Sequence, residues 1–100
     1  MENQHRKIAG YRELSQTEID LMNRIKAKGG ELLELQYELI QMLIQQGRDK
    51  AADAADNTDC HAELERFQAA EPVRWAAIGK TDIQTGIMAL VRAVAQPAGV

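Results

Sequence analysis

The fold is decided by residues 15–46, SQTEIDLMNRIKAKGGELLELQYELIQMLIQQ. Apolar residues recur every three or four positions at Leu21, Ile25, Leu32, Leu35, Leu39 and Met42. One position in this series, between Ile25 and Leu32, is occupied by the polar residue Lys28. This spacing is typical of a helix face that must be covered by another helix. Further apolar residues widen the stripe in the second half of the helix: Leu33, Ile40, Leu43 and Ile44. Ser15 and Glu18 form an S-x-x-E capping box that marks the start of the helix. Gly47 is suited to stop it.

Two glycines, Gly29 and Gly30, lie in the middle of this stretch. Each weakens a helix by about 1 kcal/mol relative to alanine. The apolar positions nevertheless keep the same phase on both sides of the pair. We therefore predict one long helix that is bent or broken at the glycines.

The rest of the chain supplies an arm and a partner helix. Residues 1–14 lack a helical stripe and are predicted to form an extended N-terminal arm. Residues 47–72 are predicted to hold the turn and a short helix, because the first part is polar. Proline is favoured in the first turn of a helix, so Glu71-Pro72 marks the start of a new one. A second long helix is predicted over 73–95, with its seam at Ile83, Ile87, Leu90 and Val94. The predicted fold class is all-α: a long antiparallel helical hairpin over 15–97, with 98–100 as a tail.

The composition limits the partners that this chain can have. One hundred residues make one domain, and only four residues are aromatic, so the core is thin. A two-helix hairpin of this length buries too little surface alone, so we predict an obligate homo-oligomer. A net charge of −3 argues against binding to DNA or RNA polymers. The N-terminal arm is basic, however, which suits a small anion.

The sequence lacks the signals typical of membrane, secreted, disulfide-bonded and metal-binding proteins. No apolar stretch approaches the roughly 20 residues needed to cross a bilayer, and no signal peptide is visible, so we expect a cytoplasmic protein without a membrane partner. Cys60 is the single cysteine, which excludes an internal disulfide. The chain has neither a CxxC nor an HExxH motif, so no metal site is predicted.

No catalytic constellation is recognisable, and the chain is not expected to be an enzyme or to carry a cofactor. Cys60 and His61 are adjacent, and adjacent residues on a helix point in different directions. The sequence Gly79-Lys80-Thr81 resembles the end of a P-loop, but the upstream glycine is missing because position 74 is Arg.

The function that the residues still allow is binding of an anion without catalysis. Aromatic side chains can stack on a nucleobase, and hydroxyl or charged side chains can bind phosphate. These groups come from Arg6, Lys7, Tyr11, Lys26, Arg74, Trp75, Lys80, Thr81, Thr85 and Arg92. The residues alone leave plainer alternatives open: Tyr11 packs on the first helical turn, and Lys26 is a solvated lysine. Likewise, the small residues between Ile78 and Gly86 allow close approach either of another helix or of a ligand.

Two segments carry a family resemblance. Residues 5–26, HRKIAGYRELSQTEIDLMNRIK, and residues 74–97, RWAAIGKTDIQTGIMALVRAVAQP, resemble the phage anti-CBASS cyclic-nucleotide sponges. These proteins share a helical-hairpin domain with anti-Thoeris sponges. The match covers about half of the chain, in the same order.

The resemblance implies a function and an assembly. Such sponges bind cyclic oligonucleotide messengers, such as cyclic GMP-AMP, without cleaving them, so that the effector is not activated in the host bacterial cytoplasm during infection. They are homo-hexamers with cyclic dinucleotides between protomers. Some members also hold cyclic trinucleotides where three protomers meet.

The resemblance also places residues in this sequence. It implies that Tyr11 stacks on a base and that Lys26 pairs with a phosphate at the cyclic dinucleotide site. Arg6, Lys7 and Gly10 are neighbours by position. For a separate cyclic trinucleotide site, residue type favours Arg74, Lys80, Thr81, Thr85 and Gly86. The alternative hypotheses are a small helical adaptor that binds a host protein and an enzyme that degrades cyclic nucleotides.

Overall fold

A computed structural model describes residues 12–98 of the chain. In order, these residues form α1 (Gln16–Asp56), a short 3-10 helix (Thr58–Cys60), α2 (His61–Ala70) and α3 (Pro72–Ala95). No strand occurs within that range. The all-α prediction is therefore confirmed.

The start of α1 and the junctions between the later helices follow from local chemistry. Ser15 N–H donates to Glu18 Oε1 at 2.9 Å, and Glu18 N–H donates to Ser15 Oγ at 3.2 Å, which is the predicted capping box. Asn57 leaves the helical conformation at φ −147°, and its side chain accepts a hydrogen bond from the backbone N–H of Asp59. Glu71 adopts a left-handed φ of 49° and separates α2 from α3, which begins at Pro72.

The glycines of α1 neither break nor end the helix, so the single long helix is confirmed. Of the two alternatives at Gly29-Gly30, the break is wrong, and so is the predicted stop at Gly47. The helix passes through Gly29 and Gly30 and continues beyond Gly47 to Asp56. A Cβ at Gly29 would lie 2.6 Å from Ile87 Cγ1, and a Cβ at Gly47 would lie 3.3 Å from Phe67 Cε2. Both glycines therefore allow a neighbouring helix to approach closely. Because α1 extends to Asp56, the first part of the predicted turn region 47–72 is helix.

The chain divides into two compact units, Met1–Glu31 with Ile83–Val100 and Leu32–Asp82. In the first, the terminal unit, the start of α1 lies antiparallel to the end of α3, with Gly29 against Ile87. In the second, the central unit, α1 lies against α2 and the start of α3, and Gln36 Nε2 donates to the Ala76 carbonyl at 3.0 Å. This pairing of α1 with later antiparallel helices is the predicted helical hairpin.

Only part of the predicted apolar stripe of α1 packs within the chain. Ile25 and the widening residues Leu33, Ile40, Leu43 and Ile44 are buried or half-buried. Five of the predicted seam residues are exposed, and we call them the hydrophobic stripe: Leu21, Leu32, Leu35, Leu39 and Met42. Leu35, for example, is 60% exposed. The adjacent face packs instead; its buried or half-buried positions are Met22, Ile25, Gly29, Leu33, Gln36, Ile40, Leu43 and Gly47. Because this face contains two glycines and a glutamine, hydrophobicity alone did not select it. On α3, Leu90 is likewise exposed while Val91 is half-buried.

The two adjacent glycines of α1 provide a matched pair of variants. We expect Gly29→Ala to lower the free energy of unfolding by about 1 kcal/mol, since overpacking costs about 1–3 kcal/mol and alanine restores about 1 kcal/mol of helix propensity. Gly30 has open space around its missing Cβ, so Gly30→Ala is expected to raise the free energy of unfolding by up to about 1 kcal/mol. Urea unfolding at one protein concentration measures both. Equal stabilisation by both variants would contradict the close contact with Ile87.

Candidate functional site

Arg12, the first described residue of the predicted N-terminal arm, makes hydrogen bonds and an ion pair to both long helices. We call its position the arm root. Arg12 Nη2 donates to the Val94 carbonyl at 2.8 Å, and Arg12 Nε donates to the Ala95 carbonyl at 3.2 Å. Arg12 Nη2 also pairs with Glu18 Oε2. The guanidinium thereby covers the C-terminal carbonyls of α3, where a positive charge is favourable. This residue was predicted only as part of a basic arm.

The same network acts on Glu18 at the start of α1. The hydrogen bond from Arg12, together with the capping interactions from Ser15, lowers the pKa of the Glu18 carboxyl from its ordinary 4.5 to about 2. Glu18 therefore stays ionised, and keeps its ion pair with Arg12, at acidic pH values where an ordinary glutamate with a pKa of 4.5 would be protonated. The arm root is a charged but fully paired structure.

Lys26, the residue implied to bind phosphate, lies on α1 in the same terminal unit. Its side chain is exposed, and it has no hydrogen bond or ion pair to any residue in the range 12–98. An exposed ammonium with three free donors can bind a phosphate without first breaking an internal contact. The other four residues of this proposed site, Tyr11, Arg6, Lys7 and Gly10, lie outside the described residues.

The five candidates for a cyclic trinucleotide site all lie on α3, and all are exposed. Arg74, Lys80 and Thr81 belong to the central unit, whereas Thr85 and Gly86 belong to the terminal unit. Arg74 and Thr81 are seven residues apart and thus share one face of the helix. The Thr81 hydroxyl donates to the Ala77 carbonyl at 3.3 Å and keeps its lone pairs free.

Arg74 already has two partners on its own helix surface. Its guanidinium lies 5.2 Å from the ring centroid of Trp75 and 3.8 Å from Glu71 Oε2. Trp75 itself is exposed. A cation held over an exposed aromatic ring forms a flat, positively charged surface of the kind on which a nucleobase can stack.

The described residues offer nothing that favours metal chemistry or a membrane. Within residues 12–98, no group of three or more His, Cys, Asp or Glu side chains is placed to hold a metal ion. In the same range, no helix has the length and apolarity needed to span a bilayer.

Comparison with known proteins decides the family. The model of the family described as Acb2/Tad1, hairpin domain, matches residues 4–95. The chain belongs to the Acb2/Tad1 hairpin-domain family. A relative from Pseudomonas phage JBD67, named Anti-CBASS protein 2, is 60% identical to the chain, and the alignment covers 99% of both proteins. The predicted resemblance to the anti-CBASS family is thereby confirmed.

A second ionic cluster lies in the central unit. Glu63 accepts from Arg66 Nε and Nη2, both at 2.7 Å, and pairs with Lys50 Nζ at 2.9 Å. The bonds from Arg66 and then Lys50 lower the pKa of the Glu63 carboxyl to about 2. Lys50 also lies 5.7 Å from the Phe67 ring centroid. The cluster joins α1 to α2, and its two cations share one carboxylate.

The two lowered carboxyl pKa values predict an acid-dependent loss of stability. Glu18 and Glu63 are harder to protonate in the folded protein than in the unfolded chain. Their stabilisation is complete above pH 4.5 and is lost as the pH falls toward about 2. We expect Glu18→Gln and Glu63→Gln each to flatten the dependence of unfolding free energy on pH in that window. Chemical unfolding at several pH values measures this.

Glu65 supplies the control for the pH experiment. It is exposed on α2 and has no ion pair to any residue in the described range 12–98. Glu65→Gln should therefore keep the wild-type pH dependence. If all three variants show the same slope between pH 4.5 and about 2, the two ionic clusters do not act as described.

Proposed function

We propose that this protein is an anti-CBASS sponge that sequesters cyclic dinucleotide messengers, such as cyclic GMP-AMP, without cleaving them. The observation that carries the proposal is the 60% identity, over nearly all of both chains, to a protein named Anti-CBASS protein 2. By binding the messenger, the protein prevents activation of the antiviral effector in the cytoplasm of the infected bacterium. No cofactor and no catalytic step take part.

The chemistry of Lys26 supports a cyclic dinucleotide as the ligand. A cyclic dinucleotide has two bases and two phosphates related by approximate two-fold symmetry. A site at a two-fold interface between protomers would present each half with the same tyrosine and the same lysine. Lys26 is exposed and has no internal partner within residues 12–98, so its ammonium group is available to a phosphate. In this proposal Tyr11 stacks on the base, and Arg6, Lys7 and Gly10 flank it.

The hydrophobic stripe supports assembly into a homo-hexamer. Its residues repeat at the three- and four-residue spacing of a helix–helix seam, and this chain leaves them uncovered. Contiguous exposed apolar surface on a soluble protein marks an interaction surface. We assign the stripe to a second copy of the chain, since an identical helix has the matching period. The hexamer then brings Tyr11 and Lys26 of different protomers to shared sites.

A separate cyclic trinucleotide site on α3 forms the second part of the proposal. Its candidates are Arg74, Lys80, Thr81, Thr85 and Gly86. The cation–aromatic pair of Arg74 and Trp75, at 5.2 Å, offers a stacking surface with positive charge. A three-fold axis would repeat this surface for each nucleotide of the ligand.

An effector assay tests the proposed function. An effector enzyme activated by cyclic GMP-AMP is incubated with a fixed amount of messenger and increasing amounts of this protein. We expect effector activity to fall in proportion to the protein added and to return in full after heat denaturation of the protein. Loss of activity that heating does not restore would indicate cleavage by an enzyme. Unchanged activity at every ratio would favour the adaptor that binds a host protein.

A further inference from the structure

The network around Arg12 connects the arm root to two helix ends at once. Its guanidinium donates to the carbonyls of Val94 and Ala95 and pairs with Glu18. Those carbonyls belong to the last turn of α3, where backbone acceptors have no partner inside the helix. Glu18 is itself fixed, because its other oxygen accepts from Ser15 N–H. Arg12 is therefore held at the same time by the end of α3 and by the capped start of α1.

We propose that Arg12 is a positioning residue: by fixing the point at which the chain meets the two helices, it limits where the residue before it, Tyr11, can bind a ligand. Tyr11 is joined to Arg12 by one peptide bond, so their Cα atoms are separated by about 3.8 Å across a trans bond. Fixing Arg12 thus limits where the Tyr11 ring can reach. The inference rests on the proposed cyclic dinucleotide site.

The advantage of such a tether is lower entropic cost at binding. An untied arm must lose backbone freedom when its tyrosine stacks on a base, and that loss weakens affinity. Arg12 removes part of this loss before the ligand arrives. The planar guanidinium group of arginine is better suited to this role than the ammonium group of lysine, because it donates in fixed directions to several acceptors at once.

The test compares Arg12→Gln with a control in the same unit that leaves the arm root intact. The control is Ile87→Val, which loosens the contact with Gly29 on the same two helices. Calorimetry with cyclic GMP-AMP gives the affinity of each variant, and circular dichroism checks the helix content. We expect Arg12→Gln to raise Kd at least about tenfold, and Ile87→Val to change Kd by less than about threefold.

A fluorine label on Tyr11 separates positioning from general loosening. In a Tyr37→Phe background, 3-fluorotyrosine labels Tyr11 alone among the tyrosines. At saturating ligand, we expect Arg12→Gln to move or broaden the bound 19F resonance, and we expect Arg12→Lys to restore it only in part. Ile87→Val should leave it unchanged.

Three results would overturn the inference. The first is an Arg12→Gln affinity within threefold of wild type, and the second is an equal loss in Ile87→Val. In both, wild-type protein still binds, so the proposed function stands and only the role of Arg12 fails. The third is a wild-type protein that binds no cyclic dinucleotide, which removes the proposed function and this inference together.

Discussion

Replacing Lys26 or Tyr11 with alanine is expected to abolish most cyclic dinucleotide affinity. Each charge-assisted hydrogen bond to phosphate contributes about 1.5–3 kcal/mol, and a two-fold site contains two lysines. Lys26→Ala should therefore raise Kd by about 100-fold or more. Stacking contributes about 1–3 kcal/mol per base, so Tyr11→Ala should raise Kd by about 30-fold or more. Tyr11→Phe keeps the ring and should bind nearly as wild type does.

Two exposed residues provide matched controls for these variants. Arg48→Ala removes the same charge as Lys26→Ala, and Arg48 lies exposed on α1 in the central unit. Tyr37→Ala removes the same ring as Tyr11→Ala, from a position that is 64% exposed. Both controls should retain wild-type affinity in calorimetric titration. If Arg48→Ala weakens binding as much as Lys26→Ala does, overall charge and not a specific lysine attracts the ligand.

Placing a charge in the hydrophobic stripe is expected to dissociate the proposed homo-hexamer. Burying a leucine contributes about 1.5–3 kcal/mol, and burying an unpaired carboxylate costs several kcal/mol more. A symmetric assembly repeats the substitution at every equivalent interface. Leu35→Glu or Leu39→Glu should therefore reduce the mass in solution from six chains to one or two, where one chain has a mass of 11.1 kDa. Sedimentation velocity measures this mass.

Tyr37→Glu is the control for the stripe, because Tyr37 is exposed on the same helix but outside the apolar repeat. It should leave the mass unchanged. A wild-type chain that sediments as a monomer would contradict the assignment of the stripe to a second copy. A hexamer that persists in Leu35→Glu and Leu39→Glu would place the interface elsewhere on the protein.

Those features of the fold that depend on short-range chemistry were predictable from the sequence. The Ser15–Glu18 capping box is formed as predicted, and Pro72 begins α3. The family was also predictable, because both ends of the chain carry its motifs. Local signals of this kind are read correctly because they involve residues within one helical turn.

The wrong predictions concern residues whose surroundings are determined by a helix that is distant in sequence. Gly29 and Gly47 indicate weak points in an isolated helix, but here they face Ile87 and Phe67. The choice between two adjacent faces of α1 likewise depends on which face accepts a close neighbour. The contacts of Arg12 with Val94 and Ala95 join residues more than eighty positions apart, and no spacing rule could have found them.

Part of the candidate site stays a prediction. Lys26 was placed by the resemblance, and its exposure and lack of partners within residues 12–98 fit that role. The role of Tyr11 still rests on the resemblance, since that residue lies outside the described range. The five α3 candidates were chosen by residue type, and they remain to be tested together with cyclic trinucleotides.

One measurement tests the central claim most directly: calorimetric titration of cyclic GMP-AMP into the wild-type protein, followed by heat denaturation and chromatography of the released nucleotide. The linear dinucleotide of the same bases serves as the matched control ligand. The sponge predicts tight binding of the cyclic form at one site per two chains, weaker binding of the linear form, and full recovery of intact messenger. Absence of binding, or recovery of a cleaved product, would contradict it.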